Sequence, residues 1–266
     1  MKKNSCYLRQ DLALAWAGKP VFDLLAAMDG EVFRDKEGRR TLRFELNGHS
    51  YFLKYHQGVG WLEIVKNLLQ LRWPIISARN EWRAIQFLEQ HAIDTMTLAG
   101  YGEKGKNPAR LQSFVITDDL VNTISLEYVG EQWQQQPPTF ASKQALIRRL
   151  ATIAGVMHKN GMNHRDFYLC HFLLDEGFAE HNTFEDDTPL YLIDLHRATI
   201  RRQTPRRWQV KDLGSLYFSA SRVPLTRRDK YRFMQIYSGL PLREVLSRQA
   251  DLWREVEARA KKLLAE

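Results

Sequence analysis

The chain of 266 residues reads as an α+β protein in two halves, a small antiparallel sheet followed by a mainly helical body. Three observations predict this. Alternating apolar residues and tight-turn dipeptides crowd the stretch from Glu31 to Tyr55. A helical period of apolar residues dominates from Ser142 onward. Between them, near Thr117 to Asn122, a strand pattern gives way to helix. The expected division is 1–117, an N-terminal extension with the sheet, and 118–266, the helical half with its C-terminal helices.

In order, Asp11 to Met28 carries Leu12, Trp16, Phe22, Leu25 and Met28 at helical spacing, with a break expected at Gly18-Lys19-Pro20. Glu31–Asp35 and Arg40–Leu46 alternate as strands, and Asn47-Gly48 is the dipeptide of a two-residue hairpin turn. The third strand is His49–Tyr55, with Tyr51, Leu53 and Tyr55 on one face and Phe52 and Lys54 on the other. A strand lysine is ordinarily solvated; one such as Lys54 can also reach a ligand. Gly58 to Ile76 is irregular and reads either as a core helix or as an amphipathic surface segment. Ser77 is placed to cap a helix running to His91. On that helix Glu81, Ile85 and Leu88 share a face, and an acid on an apolar face needs a partner. Lys54 is the candidate; otherwise Glu81 is solvated at the stripe's edge.

Gly100 to Arg110, with Gly100, Gly102, Gly105 and Pro108, is expected to be a loop, and Leu111–Ile116 a strand. Gln132–Thr139 reads as an exposed connection. Ser142–Asn160 is the clearest helix, striped by Ile147, Leu150, Ile153 and Met157 and stopped by Gly161. The stretch Asn163 to His171 follows, then a short strand Phe172–Asp175. An acidic, strandless insertion, Glu176–Pro189, separates it from a second strand, Leu190–Asp194. Leu242–Leu264 reads as a charged amphipathic helix.

Composition narrows the function classes. No apolar run reaches the roughly 18 residues of a membrane span, and the polar first ten residues lack a signal-peptide core. Two cysteines, Cys6 and Cys170, form neither a disulfide framework nor a thiolate metal site. A cytoplasmic protein is expected. The net charge of +8 calls for an anionic partner, and charge alone favours nucleic acid. No zinc finger or aromatic RNA-binding sheet supports that choice, so no nucleic-acid partner is expected.

Asp166 and Asp194, each beside a short apolar strand, suit phosphoryl transfer, in which one carboxylate orients the attacking hydroxyl and another holds the cation on the phosphates. Strand lysine, helix glutamate, long helix, His-Arg-Asp and a second aspartate follow in that order from about Glu31 to Arg232. This order resembles the bilobal protein-kinase-like fold. More closely, His164-Arg165-Asp166-Phe167-Tyr168 with His171, Ile193-Asp194-Leu195-His196-Arg197-Ala198 and Asn80-Glu81-Trp82-Arg83-Ala84 resemble the Kdo/heptose kinase family of Gram-negative lipopolysaccharide core kinases.

The resemblance implies ATP with Mg2+ or Mn2+, and phosphorylation of a heptose hydroxyl on heptosylated Kdo–lipid A. It implies Asp166 as the catalytic acid, Asp194 as a metal ligand, and Lys54 on the nucleotide phosphates paired with Glu81. Thr117 to Leu120, with Thr117 and Asp118 foremost, would meet adenine, and Asp212 would brace the catalytic loop. It places the protein on the anionic cytoplasmic face of the inner membrane. Arg201-Arg202, Arg206-Arg207 and the cations from Arg222 to Arg232 would then hold the headgroup. Trp61, Leu68, Leu69, Leu71 and Trp73 are placed to meet acyl chains or an acidic carrier protein.

Three departures stand out. Where protein kinases carry a metal-binding asparagine five residues after the aspartate, this chain has His171. An imidazole is a poorer magnesium ligand, so His171 is expected on a metal or on a phosphate. There is no Gly-x-Gly-x-x-Gly loop; the 36–40 turn would cover the phosphates instead. The long spacing of Lys54 and Glu81 leaves Glu63 and Glu89 as rival partners. Alternatives of other classes are a kinase of the same fold acting on another sugar, an antibiotic or a protein, and a catalytically silent anion-binding scaffold.

Overall fold

The first strand is one the sequence pattern does not announce. The computed structural model describes residues 4–36, 38–69, 76–181 and 183–266, and it begins with β1 (Asn4–Leu8), which pairs antiparallel with a strand far along the chain. Helices α1 (Gln10–Ala15) and α2 (Val21–Ala26) follow, separated at Gly18-Lys19-Pro20 as expected. Then come β2 (Glu31–Lys36), β3 (Arg39–Leu46), β4 (His49–His56), α3 (Gly60–Leu69) and α4 (Arg79–Gln90). After α4 lie β5 (Leu98–Lys104) and β6 (Gln112–Asp118). Among the described residues these strands form one six-stranded sheet in the order β1-β5-β6-β4-β3-β2. The three-stranded meander is one edge of it.

The stretch expected as a loop, Gly100 to Arg110, is a correction. Most of its first half is β5. Gly100 and Gly102 are there for close packing, not for a turn: a Cβ on Gly102 would lie 2.6 Å from Phe114 Cε1 and 2.9 Å from Ser5 O. Only the short segment before the 3-10 turn at Pro108–Arg110 is a loop.

The chain divides into two compact units, Met1–Gln86 with Met96–Leu120, and Phe87–Thr95 with Val121–Glu266. The change of unit at Leu120 falls where strand gives way to helix. The division differs from a single cut after residue 117 because Phe87–Thr95 clusters with the second unit. Arg149 holds Asp94 at 2.5 Å, and Thr95 Oγ1 donates to Leu192 O at 2.7 Å.

The core of the first unit gathers Leu12, Trp16, Leu25, Leu42, Phe44, Tyr51, Leu53, Tyr55, Phe114 and Ile116. Tyr51, Leu53 and Tyr55 are thus the buried face of β4, as their alternation predicts. Each fully buried leucine here contributes about 1.5–3 kcal/mol. Lys54, on the opposite face, is spared that core.

The second unit contains β7 (Thr123–Ser125), α5 (Leu126–Gln132), α6 (Phe140–Lys159), β8 (Met162–Asn163) and β9 (Phe172–Asp175). It continues with α7 (Glu176–His181), β10 (Tyr191–Leu192), β11 (Thr199–Ile200), α8 (Arg206–Ser219), α9 (Arg227–Ser238), α10 (Leu242–Arg248) and α11 (Ala250–Ala265). The acidic insertion is therefore partly helical, and the single helix expected over 242–264 is two helices meeting at Gln249. Thr139 caps α6 by accepting from Ser142 N at 3.1 Å. Gly161 ends it at φ +88°, where a Cβ would sit 1.8 Å from Arg201 O. No other residue type allows that approach, which brings β8 against β11.

Helix α3 resolves the ambiguity of its segment toward the surface. Ile64 is buried, while Trp61, Leu62 and Leu69 are 58%, 90% and 80% exposed. Leu71 and Trp73 lie outside the described residues, as does Glu37 of the 36–40 turn.

Candidate active site

In the first unit, Lys54 lies in register between Thr41 of β3 and Val115 of β6. Its Nζ is 2.6 Å from Glu81 Oε1. Glu81 is 2% exposed, and a carboxylate so buried is tolerable only when paired. The rival Glu63 sits 3.6 Å from Lys66, one turn along α3. Helix α4, which carries Glu81, is pinned at its start. Ser77 Oγ accepts from Arg79 N at 3.0 Å and donates to Glu103 at 2.9 Å, and Ala78 N donates to Ser113 Oγ at 2.9 Å. Ser77 thus does cap the helix, and its hydroxyl also ties the cap to β5.

Thr117 and Asp118 end β6. The Asp118 carboxylate is gripped by both terminal nitrogens of Arg9, at 2.7 and 2.8 Å. Its backbone N–H donates to Thr97 O at 3.0 Å, and that of Asp119 to Ser50 O at 3.1 Å. The Asp118 carboxylate and N–H are therefore engaged within the unit. Arg9 was invisible to sequence reasoning, because only the docking of β1 brings it to Asp118.

In the second unit the loop Asn163–His171 is held at several points. Asp212, on α8 and fully buried, accepts from His164 N at 2.7 Å and from Arg165 N at 2.8 Å. His158 Nε2 approaches the same carboxylate at 3.3 Å, and Tyr237 O–H lies 2.9 Å from His158 Nδ1. With the ring neutral, Tyr237 donates to Nδ1 and Nε2–H donates to Asp212. These bonds hold Arg165 at φ +81°, a left-handed conformation uncommon outside glycine. His164 is buried, with Nε2 2.9 Å from Ile193 O and Nδ1 3.3 Å from Asp166 N. Since one partner accepts and the other donates, the ring is neutral. Burial pushes its pKa below the ordinary value, against the pull of Asp212.

Asp166 thereby receives a fixed backbone. Arg197 Nη1 lies 2.8 Å from Oδ1 and 3.0 Å from Oδ2 of its carboxylate. One nitrogen straddles both oxygens, so each keeps a lone pair for another donor. Arg197 stands in the Asp-Leu-His-Arg run that carries the family resemblance, but nothing in its spacing foretold a contact with Asp166.

His171 Nδ1 is 2.6 Å from Asp166 O. A carbonyl only accepts, so Nδ1 carries the proton and the neutral ring's lone pair is on Nε2. That atom lies 3.6 Å from Asp194 Oδ2. Asp194 has φ +60° and ψ +51°, and its other oxygen is 2.6 Å from His196 Nδ1. A lone pair and a carboxylate oxygen facing one another suit a divalent cation. No cluster of three or more His, Cys, Asp or Glu able to hold a metal occurs among the described residues. One or two protein ligands are what magnesium uses when phosphates and water complete its shell.

The expected headgroup clusters differ from one another. Arg222 pairs with Glu131 at 2.9 Å, Arg227 donates to Tyr231 at 2.6 Å, and Arg232 sits 3.7 Å from Asp229, so this cluster is largely folded back on its own unit. Arg206 pairs with Glu255 at 2.9 Å. Arg165, Arg201 and Arg207 instead surround Trp208.

The model of the lipopolysaccharide kinase (Kdo/WaaP) family matches residues 23–237. The lipopolysaccharide core heptose(I) kinase WaaP of Escherichia coli (strain K12) is 49% identical over 256 residues, covering 96% of each chain. Its namesake in Pseudomonas aeruginosa is 46% identical, covering 96% of this chain and 94% of the relative. A solved structure described as WaaP in complex with acyl carrier protein superposes with a TM-score of 0.83 at 42% identity, over 97% of this chain and 99% of that one.

Proposed function

The chain belongs to the lipopolysaccharide kinase (Kdo/WaaP) family, and on that premise we propose that it transfers the terminal phosphoryl group of ATP to a heptose hydroxyl of the lipopolysaccharide inner core. Two relatives that align over nearly its whole length carry the name heptose(I) kinase. The observation that supports the reading most strongly is the Asp166 loop. Its carboxylate is fixed by Arg197, its backbone by Asp212, and its carbonyl turns His171 Nε2 toward Asp194.

In the reaction the sugar hydroxyl donates its hydrogen bond to Asp166, which orients the oxygen and accepts the proton as the new P–O bond forms and ADP leaves. Arg197 holds the carboxylate in one rotamer during that step. Lys54, kept in place by Glu81, is assigned to the nucleotide phosphates. Asp194 and His171 are assigned to a divalent cation, Mg2+ or Mn2+, which when bound neutralises charge on the phosphates. Backbone at the end of β6, from Thr117 onward, is assigned to the adenine.

Two partners fit the same reading. The second unit contains an apolar pocket of about 510 Å³, lined by Leu150, Leu213, Leu216, Phe233 and Trp253 among others, with Arg227 and Lys230 also in its wall. An acyl group delivered by an acidic carrier protein matches both the lining and the cations. Helix α3, with Trp61, Leu62 and Leu69 outward, suits the anionic face of a membrane for a chain of net charge +8. No helix among the described residues is long and apolar enough to cross one.

The deciding experiment incubates the protein and ATP with a defined heptosylated Kdo–lipid A and follows mass. A gain of one phosphate, mapped to one heptose and lost with Asp166→Ala while the variant still melts cooperatively, is expected. Transfer by Asp166→Ala at the wild-type rate, or transfer only to a peptide or aminoglycoside, would sink the reading.

A further inference from the structure

Beside Asp166 lies a group of four cations, two of which, Arg201 and Arg207, belong to the clusters expected to hold the headgroup. Three elements of the second unit bring them together. The catalytic loop supplies Arg165, whose Cζ is 4.9 Å from the Trp208 ring centroid. The connection after β11 supplies Arg201, at 5.9 Å. Helix α8 supplies Arg207 and Lys211, one turn apart, at 5.4 and 5.7 Å. Arg201 is anchored, with its N–H on Gly161 O at 2.9 Å and its guanidinium on Asn163 Oδ1 at 2.5 Å.

These charges have almost nothing of opposite sign to meet. Among the described residues none of the four makes an ion pair with a carboxylate. The two nearby acids are engaged, Asp166 by Arg197 and Asp212 by two backbone N–H groups and His158. The cost of crowding is visible in their acidity. Burial first, then Arg197, lowers the pKa of both Arg165 and Lys211, and burial then Arg207 lowers that of Arg201. Trp208 Nε1 is buried with no acceptor among the described residues, a donor of the kind that native structures normally satisfy.

We propose that Arg165, Arg201, Arg207 and Lys211, gathered around Trp208, form the subsite for an oxyanion of the acceptor, a carboxylate or phosphate on the saccharide that carries the target hydroxyl. The subsite rests on the kinase reading for its place in the reaction, because Arg165 adjoins Asp166 in the chain and its backbone N–H is held by Asp212. Guanidinium groups match planar oxyanions through paired N–H donors, and the indole offers a face to a sugar ring. An anion held here sets which hydroxyl of the acceptor reaches Asp166.

The test uses the full chain, the double variant Arg207→Gln/Lys211→Gln, the charge-keeping Arg207→Lys/Lys211→Arg, and Trp208→Phe. A lipid-free heptosyl–Kdo oligosaccharide is titrated without ATP, and tryptophan fluorescence and its salt dependence are followed. Carboxyl-reduced and phosphate-free forms of the same saccharide are compared. A fluorescence change that vanishes in Trp208→Phe and weakens about tenfold or more in the Gln variant is expected. Its loss on carboxyl reduction assigns a carboxylate; its loss on phosphate removal assigns a phosphate. In turnover, KM for acceptor rises by the same factor while KM for ATP stays put, and the charge-keeping pair recovers it. Unchanged acceptor affinity in a folded Gln variant, or binding that survives removal of every anion from the saccharide, overturns the subsite. If the wild-type chain binds the saccharide through Trp208 yet phosphorylates none, the kinase reading fails and the subsite stands.

Discussion

Replacing Asp212 with alanine strips the Asp166 loop of the group that holds it from behind. The carboxylate accepts from His164 N at 2.7 Å and Arg165 N at 2.8 Å, and it is fully buried. Two buried N–H donors left without acceptors cost about 1–3 kcal/mol each. Arg165, at φ +81°, also loses the bond that holds it in that left-handed conformation. The two donors together centre at about 4 kcal/mol destabilising. At a urea slope of about 3 kcal/mol/M this moves the midpoint down by about 1.3 M. Asp212→Asn is expected to fall between, because its amide accepts from one N–H but turns NH2 toward the other. The measurement is urea unfolding by far-ultraviolet circular dichroism, with kcat measured below the transition. There kcat should fall by about 100-fold as Asp166 loses its position. If Asp212→Ala unfolds within about 0.2 M of wild type, the effect of an ordinary surface substitution, the bracing argument is wrong.

Three further outcomes are expected. Lys54→Met should lower kcat by about 10²–10³-fold, and adding Glu81→Gln to it should cost little more, since the two act as one unit; additive losses in steady-state kinetics would break the pairing. His171→Asn exchanges an imidazole for a hard oxygen ligand, so the ratio of activity in Mg2+ to that in Mn2+ should rise severalfold, and an unchanged ratio in a metal titration would remove His171 from the cation. His164 is held neutral by burial, so the unfolded chain binds the extra proton and stability falls as pH drops below about 6.5. Melting temperature should decline from pH 7.5 to 5.5 and decline less in His164→Gln; parallel slopes would contradict the assignment.

Much of the architecture was legible in the chain because it rests on local rules. The break at Gly18-Lys19-Pro20, the Asn47-Gly48 turn, the buried Tyr51-Leu53-Tyr55 face and the helix closed by Gly161 follow from period and turn chemistry. The glycines of β5 misled for a physical reason. In a strand, Gly102 serves a neighbour from β6 and another from β1, and neither can be seen in its own window.

The candidate site divides in the same way. Sequence by itself determined the residue types and their order, Lys54, Glu81, Asp166, His171 and Asp194, because phosphoryl transfer restricts which side chains serve it. It also brought in the family, since motif spacing survives where contacts are unknown. Tertiary structure alone decided the partners. Glu81 meets Lys54, Arg9 takes Asp118, and Arg197 takes Asp166. Trp208 becomes the centre of four cations. Long charged side chains have many places to reach, and only packing, which buries some carboxylates and leaves others in water, selects among them.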